Sequence, residues 1–210
     1  MECFSLLRTD IPALIDHLGG FGEVIAPHGK GDVSYSFEVV KDSREVVLDY
    51  NRTLLPLKKL FLPPVEKLMD FSLKDMSFTP IELKIEPKVF FAVHSYEMQS
   101  ILRLDHSMLS GNAESNYFKR RKNSRFVGIS FNPDEYHFSD SVGIPIEEME
   151  GFDLYLNEID ENYQLYVLTE NGRSLIQGLK NIKTVEPELA NDRKFKKKIR
   201  YHYNRLPRVF

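Results

Sequence analysis

Residues 88–93 (KVFFAV) are almost continuously apolar, the pattern of a strand buried on both faces. Residues 95–109 (SYEMQSILRLDHSML) change period. Met98, Ile101, Leu102 and Leu109 recur at helical spacing, with Ser95 placed to cap the helix. Residues 125–131 (RFVGISF) return to a buried-strand pattern. Strand, helix and strand in that order predict a βαβ unit with parallel strands. Further on, FDLYLNEI (152–159) and YQLYVLT (163–169) flank Asp160-Glu161-Asn162 and predict a hairpin. Earlier, VSYSFEVV (33–40) alternates as a half-buried strand does, and EVVLDY (45–50) is expected to pair with it across residues 41–44. Short helices are expected at 9–18, with Thr9 or Asp10 as cap and Pro12 in the first turn, and from 171 (NGRSLIQGLK). The expected architecture is mixed α/β (α+β). A central βαβ unit of parallel buried strands is flanked by antiparallel hairpins within one domain over 1–190, and a basic tail or linker follows over 191–210.

Breakers divide the rest. Gly19-Gly20-Phe21-Gly22 ends the first helix. It neither follows a strand nor opens a helix, so it lacks the setting of a phosphate loop. In NRTLLPLKKLFLPPVEKLMDFS (51–72), Pro56, Pro63 and Pro64 forbid a long helix. This segment is expected to run extended on the anchors Leu57, Leu60, Phe61 and Leu62, with Pro64 opening a helix over VEKLMDF. An apolar stretch punctuated in this way suits a domain surface or the underside of a partner.

Composition changes the picture at few points. The 210 residues are 42% hydrophobic and 28% charged, with a formal net charge of −3, so there is no general bias toward nucleic acid or an anionic membrane. Charge is uneven, however: 191–210 hold eight Lys or Arg against Asp192 alone. Cys3 is the single cysteine, which excludes an internal disulfide, a zinc finger and an all-cysteine iron–sulfur site. No leader pattern opens the sequence and no apolar run approaches the roughly 20 residues of a bilayer span, so the expected location is the cytoplasm.

In a parallel α/β unit, ligands lie beyond the C-terminal ends of the strands. Two loops are expected there, 93–97 after one buried strand and 131–139 after the other. Together they offer His94, Glu97, Asp134, Glu135 and His137, but no pair has the i, i+4 spacing of helical metal ligands and no H-E-x-x-H occurs. Ser95 or Ser139 beside His94 or His137 has the elements of a hydrolase site, yet neither serine sits in G-x-S-x-G. YFKRRKNSR (117–125) and the tail KFKKKIRYHYNR are basic enough to bind phosphate, but without a nucleic-acid-reading motif they read as solvated faces or contacts to an acidic partner.

Four blocks carry a family resemblance: DYNRTLLPLKKLFLPP (49–64), FFAVHSYEMQSILRLD (90–105), NYFKRRKNSRFVGISFNPDEY (116–136) and GFDLYLNEI (151–159). In order and spacing the chain resembles the beta subunits of cytoplasmic sulfhydrogenases, which are NAD(P)-linked nickel–iron hydrogenases, and the A subunit of anaerobic sulfite reductase. The resemblance implies a [4Fe–4S] electron-transfer subunit whose cysteines sit on the two loops at the strand ends. Here those positions are Tyr96, Phe131, His137 and Ser139. Histidine can stand in for some cluster thiolates, but phenylalanine has no donor atom. The resemblance further implies a ferredoxin-like module after the basic tail, and this sequence contains no such cysteine run.

The expectation is therefore a cluster-free, non-catalytic subunit of a redox complex, with no cofactor of its own. Its partners would be iron–sulfur or flavin subunits rather than membrane or nucleic acid. Candidate docking residues are Arg52, Lys58, Lys59, Lys196, Lys197 and Lys198. The alternative is a stand-alone module that binds a small anion in the vacated crevice, with Arg120, Arg121 and His137 nearby.

Overall fold

The computed structural model describes residues 2–134, 136–137, 143–145 and 148–187. Its centre is an eight-stranded mixed sheet built from β1 (Glu2–Leu6), β2 (Glu23–Gly29), β3 (Tyr35–Val39), β6 (Lys88–Val93), β7 (Ser124–Ile129), β8 (Leu154–Ile159), β9 (Asn162–Val167) and β10 (Lys183–Thr184). The strand order is β10-β1-β9-β8-β7-β6-β2-β3. β2, β6, β7 and β8 run parallel in the middle, and antiparallel strands close both sides. Parallel strands need both faces covered. Here α1 (Ile11–Leu18) and α4 (Glu170–Ile176) supply one face, through Leu14, Ile15, Leu18 and Leu175. On the other face, α2 (Ser95–Leu109), α3 (Ser115–Lys122) and the segment around Leu57 and Phe61 pack on Phe90, Phe126 and Tyr155.

The expected βαβ unit is present. β6 and α2 occupy the predicted residues, β7 pairs in parallel with β6, and β8 and β9 form the predicted hairpin around the left-handed Asp160. The cap of α2 is His94 rather than Ser95. α3 accounts for the basic run 119–122. Its cations gather at the helix C-terminus, where the helix dipole favours them. Two of them turn inward, Arg120 onto Glu66 and the Phe61 carbonyl, and Arg121 onto Asp105 and over the Phe126 ring.

Two expectations are corrected. Residues 45–50 do not pair with β3, whose neighbour is β2, and the 45–50 region contributes only a bridge from Val46 to His28. The Pro27 in EVIAPHG hid β2 from a periodicity reading. It is tolerated because β6 pairs only with Glu23–Ile25, so the missing N–H removes no bond from that ladder. Nor does Pro64 open a helix over VEKLMDF. β4 (Met69–Ser72) folds back on β5 (Ser77–Pro80) as a separate two-stranded hairpin. Three β-formers among these few residues, with Pro80 closing the return strand, outweigh the helical spacing.

Candidate functional site

The site lies where β6 and β7 end, and an irregularity in β6 shapes it. Along β6 the side chains alternate until Phe91, which faces the α1 side. Ala92 then faces that side too, and Val93 returns to the α2 side. The register with β7 shifts between Phe90 and Val93, and Ala92 adopts a left-handed φ of 57°. A non-glycine residue in that region is strained, and a bulge re-aims the side chains beyond it. The Tyr50 hydroxyl donates to the Ala92 carbonyl at 2.7 Å and holds the kink.

Past the bulge, His94 is completely buried between two rings. Tyr50 stacks on one face at 4.0 Å between centroids, and Phe131 on the other at 4.1 Å. Tyr96, in the first turn of α2, meets Phe131 edge-on at 5.5 Å. His137 lies 5.4 Å from the Tyr96 ring and 5.3 Å from the Phe131 ring. The loops after β6 and β7 thus bring Tyr96, Phe131 and His137 into mutual contact around His94, while Ser139 is outside the described residues. Tyr50 and Asn51 had escaped the reading of the two loops, although both fall in the block at 49–64.

Hydrogen bonds fix the roles. Tyr96 donates its hydroxyl proton to the Asn51 carbonyl at 2.7 Å, so it can only accept from His94 Nδ1, 3.3 Å away. That assigns the proton to Nδ1 and leaves Nε2 as a bare acceptor, with no partner among the described residues. Burial first, and the neighbouring His137 second, hold His94 down at a pKa of about 3. His137 is also lowered, chiefly by burial, and burial raises the Tyr50 and Tyr96 phenols. Over the mouth, Arg52 is ion-paired with Asp134 and its guanidinium lies 5.4 Å from the Tyr136 ring centroid.

The anion-site arrangement is not assembled. Arg120 lines a cleft with Lys88 and Ser124, at the start of β6 and β7, whereas His137 follows the end of β7. A strand length, roughly 17–20 Å, separates them. Among the described residues no three His, Cys, Asp or Glu side chains are grouped to hold a metal ion. Glu97, considered for that role, instead accepts the Leu57 N–H at 3.0 Å and anchors the 52–64 segment. Cys3 is buried in β1, with its thiol pKa raised by burial.

Burial raises the Glu97 pKa, so its ionised form weakens the fold once pH passes the unfolded value near 4.5. Glu97→Gln keeps an acceptor for Leu57 without the charge. It is expected to melt at or above the wild-type temperature at neutral pH, the gap closing in acid. Glu97→Ala strands a buried N–H and is expected to cost about 1–3 kcal/mol in a denaturant titration at neutral pH.

No family profile matches the chain, and no solved structure does. Among curated proteins, Sulfhydrogenase 2 subunit beta of Pyrococcus furiosus is 33% identical over 200 residues, covering 94% of this chain and 58% of that protein. The chain thus spans little more than half of this relative. Among the described residues, no helix is long and apolar enough to cross a membrane. With a third of the aligned residues identical over 94% of its length, the chain is related to the sulfhydrogenase beta-subunit family.

Proposed function

We propose that this chain is a non-catalytic subunit of an iron–sulfur oxidoreductase complex, in which the pocket that holds a [4Fe–4S] cluster in its relatives has become an aromatic plug. The observation that carries the reading is the contact of Tyr96, Phe131 and His137 around His94. Cluster iron is held by thiolates, and this set does not fit it. Phe131 offers no donor, and the Tyr96 hydroxyl is occupied by Asn51 and His94. The relative's being a hydrogenase subunit supports a place in a redox complex.

Docking falls to the segment from Arg52 to Pro64, pinned underneath by Leu57 and Phe61 while Leu54, Leu55 and Lys58 face solvent. Arg52 is held against Asp134 at the plug, Lys59 is half-buried beside Lys58, and the basic tail with Lys196, Lys197 and Lys198 supplies steering charge. The partners are iron–sulfur or flavin subunits in the cytoplasm, and nucleic acid and membrane are not among them.

The test is anaerobic reconstitution with iron and sulfide, followed by purification from cells with mass spectrometry of the proteins that co-purify. The expected protein is colourless and holds no stoichiometric iron, and its companions are redox subunits. Stoichiometric iron and sulfide with broad visible absorption would refute the plug. A pure monomer with no redox companion would refute the subunit.

A further inference from the structure

The β4–β5 hairpin is amphipathic, and no core residue among the described residues lies beneath it. Its register places Met69 opposite Pro80 and Phe71 opposite Phe78, so these four share one face, while Asp70, Ser72, Ser77 and Thr79 take the other. Leu73 and Met76 extend the apolar face across the connecting loop. Phe71 is 55% exposed, Phe78 65%, Met76 72% and Leu73 81%. Neither core includes any residue between Phe61 and Val89. With Met69, 55% exposed, at its base, the face opens on the order of 700 Å² to solvent, beyond the few hundred Å² that a soluble monomer leaves in one patch. A lone two-stranded ribbon of this kind is marginal in water.

We infer that this face binds the same face of a second copy of the chain, the two hairpins stacking as a small four-stranded sandwich. Size and charge choose that occupant. Doubling the open area gives on the order of 1,400 Å², within the range of stable interfaces. Charge on the hairpin cancels, since Lys67 and Lys74 stand against Asp70 and Asp75, with Lys67 paired to Asp70. A neutral apolar face meets its own copy without like-charge repulsion, and the two-fold arrangement lets every contact occur twice. Neutrality also gives the hairpin none of the cationic excess that anionic lipid attracts. The hairpin lies outside both the plug and the 52–64 segment, so the inference stands or falls apart from the proposed function.

The experiment is sedimentation equilibrium of the full chain across the micromolar range, beside the double variant Phe71→Asp, Phe78→Asp. Wild type is expected to form a dimer, and the variant to weaken dimerisation at least about 30-fold. The variant's melting temperature is expected to stay within a few degrees of wild type, because the hairpin belongs to neither core. A wild type that stays monomeric at the highest concentration overturns the inference, as does a dimer that survives both substitutions. So does a monomer that floats with phosphatidylcholine vesicles through Phe71 and Phe78, which would assign the face to lipid.

Discussion

Between pH 6.5 and about 3 the protein is expected to lose on the order of 4–5 kcal/mol of stability through His94 alone. The folded state holds this imidazole neutral, chiefly because burial between Tyr50 and Phe131 strips it of water, while the unfolded chain titrates it near its ordinary value. A base whose folded pKa is depressed gives stability that is complete above the unfolded value. That stability drains away as pH falls, because the unfolded state then binds the extra proton. About 2 kcal/mol should be gone by pH 5, out of a total that for a small domain is 5–15 kcal/mol. The other groups around the ring act in different senses. His137 adds a smaller loss of the same sign, and Glu97 works in the opposite direction because its pKa is raised. His94→Phe keeps a flat ring in the stack and removes the titrating nitrogens. Its unfolding free energy, measured by denaturant titration from pH 7 to pH 4, is expected to fall less steeply than that of wild type. Parallel profiles for the two proteins would show that His94 is not held neutral by its surroundings.

The same residues show how far the sequence alone reaches. KVFFAV, the helix after it and RFVGISF are legible because a buried parallel strand and an amphipathic helix leave different periods, and chain topology then forces their loops to one end. With the two loops at one end, the family resemblance singles out Tyr96, Phe131 and His137 on them, although 41 positions separate the first and last. The features that stayed hidden depend on contacts distant in sequence. The kink at Ala92 leaves no mark in a run of apolar letters, and it is stable only because Tyr50 reaches its carbonyl from another segment. β2 is masked by Pro27, whose cost vanishes only because β6 stops pairing short of it. The β4–β5 hairpin reads as a helix because Val65, Leu68 and Met69 have helical spacing, and no local rule announces that the chain will turn back at Leu73–Met76.

Asp153→Ala is expected to cost about 3–5 kcal/mol, although this residue touches none of the site. It precedes β8 and is buried with no cation among the partners of its carboxylate. One oxygen accepts the Phe126 N–H of β7 at 3.0 Å, and the other accepts the Thr169 hydroxyl at 2.6 Å. Thr169 in turn accepts the Gly172 N–H and caps α4. The Asp153 backbone is equally engaged, its N–H on the Phe126 carbonyl and its carbonyl accepting from Leu168. The fit is so close that a Cβ on Gly172 would lie 2.1 Å from the Asp153 oxygen. Alanine leaves the Phe126 N–H without an acceptor and frees the hydroxyl that caps the helix, two buried losses of about 1–3 kcal/mol each. Asparagine separates charge from geometry. Its carbonyl can keep Phe126 while its amide donates to Thr169, so Asp153→Asn should lose no more than about 1 kcal/mol. Urea titration of the two variants checks both figures. If alanine lost no more than asparagine, this joint between β7, β8, β9 and α4 would not be what holds the first half of β7 in place.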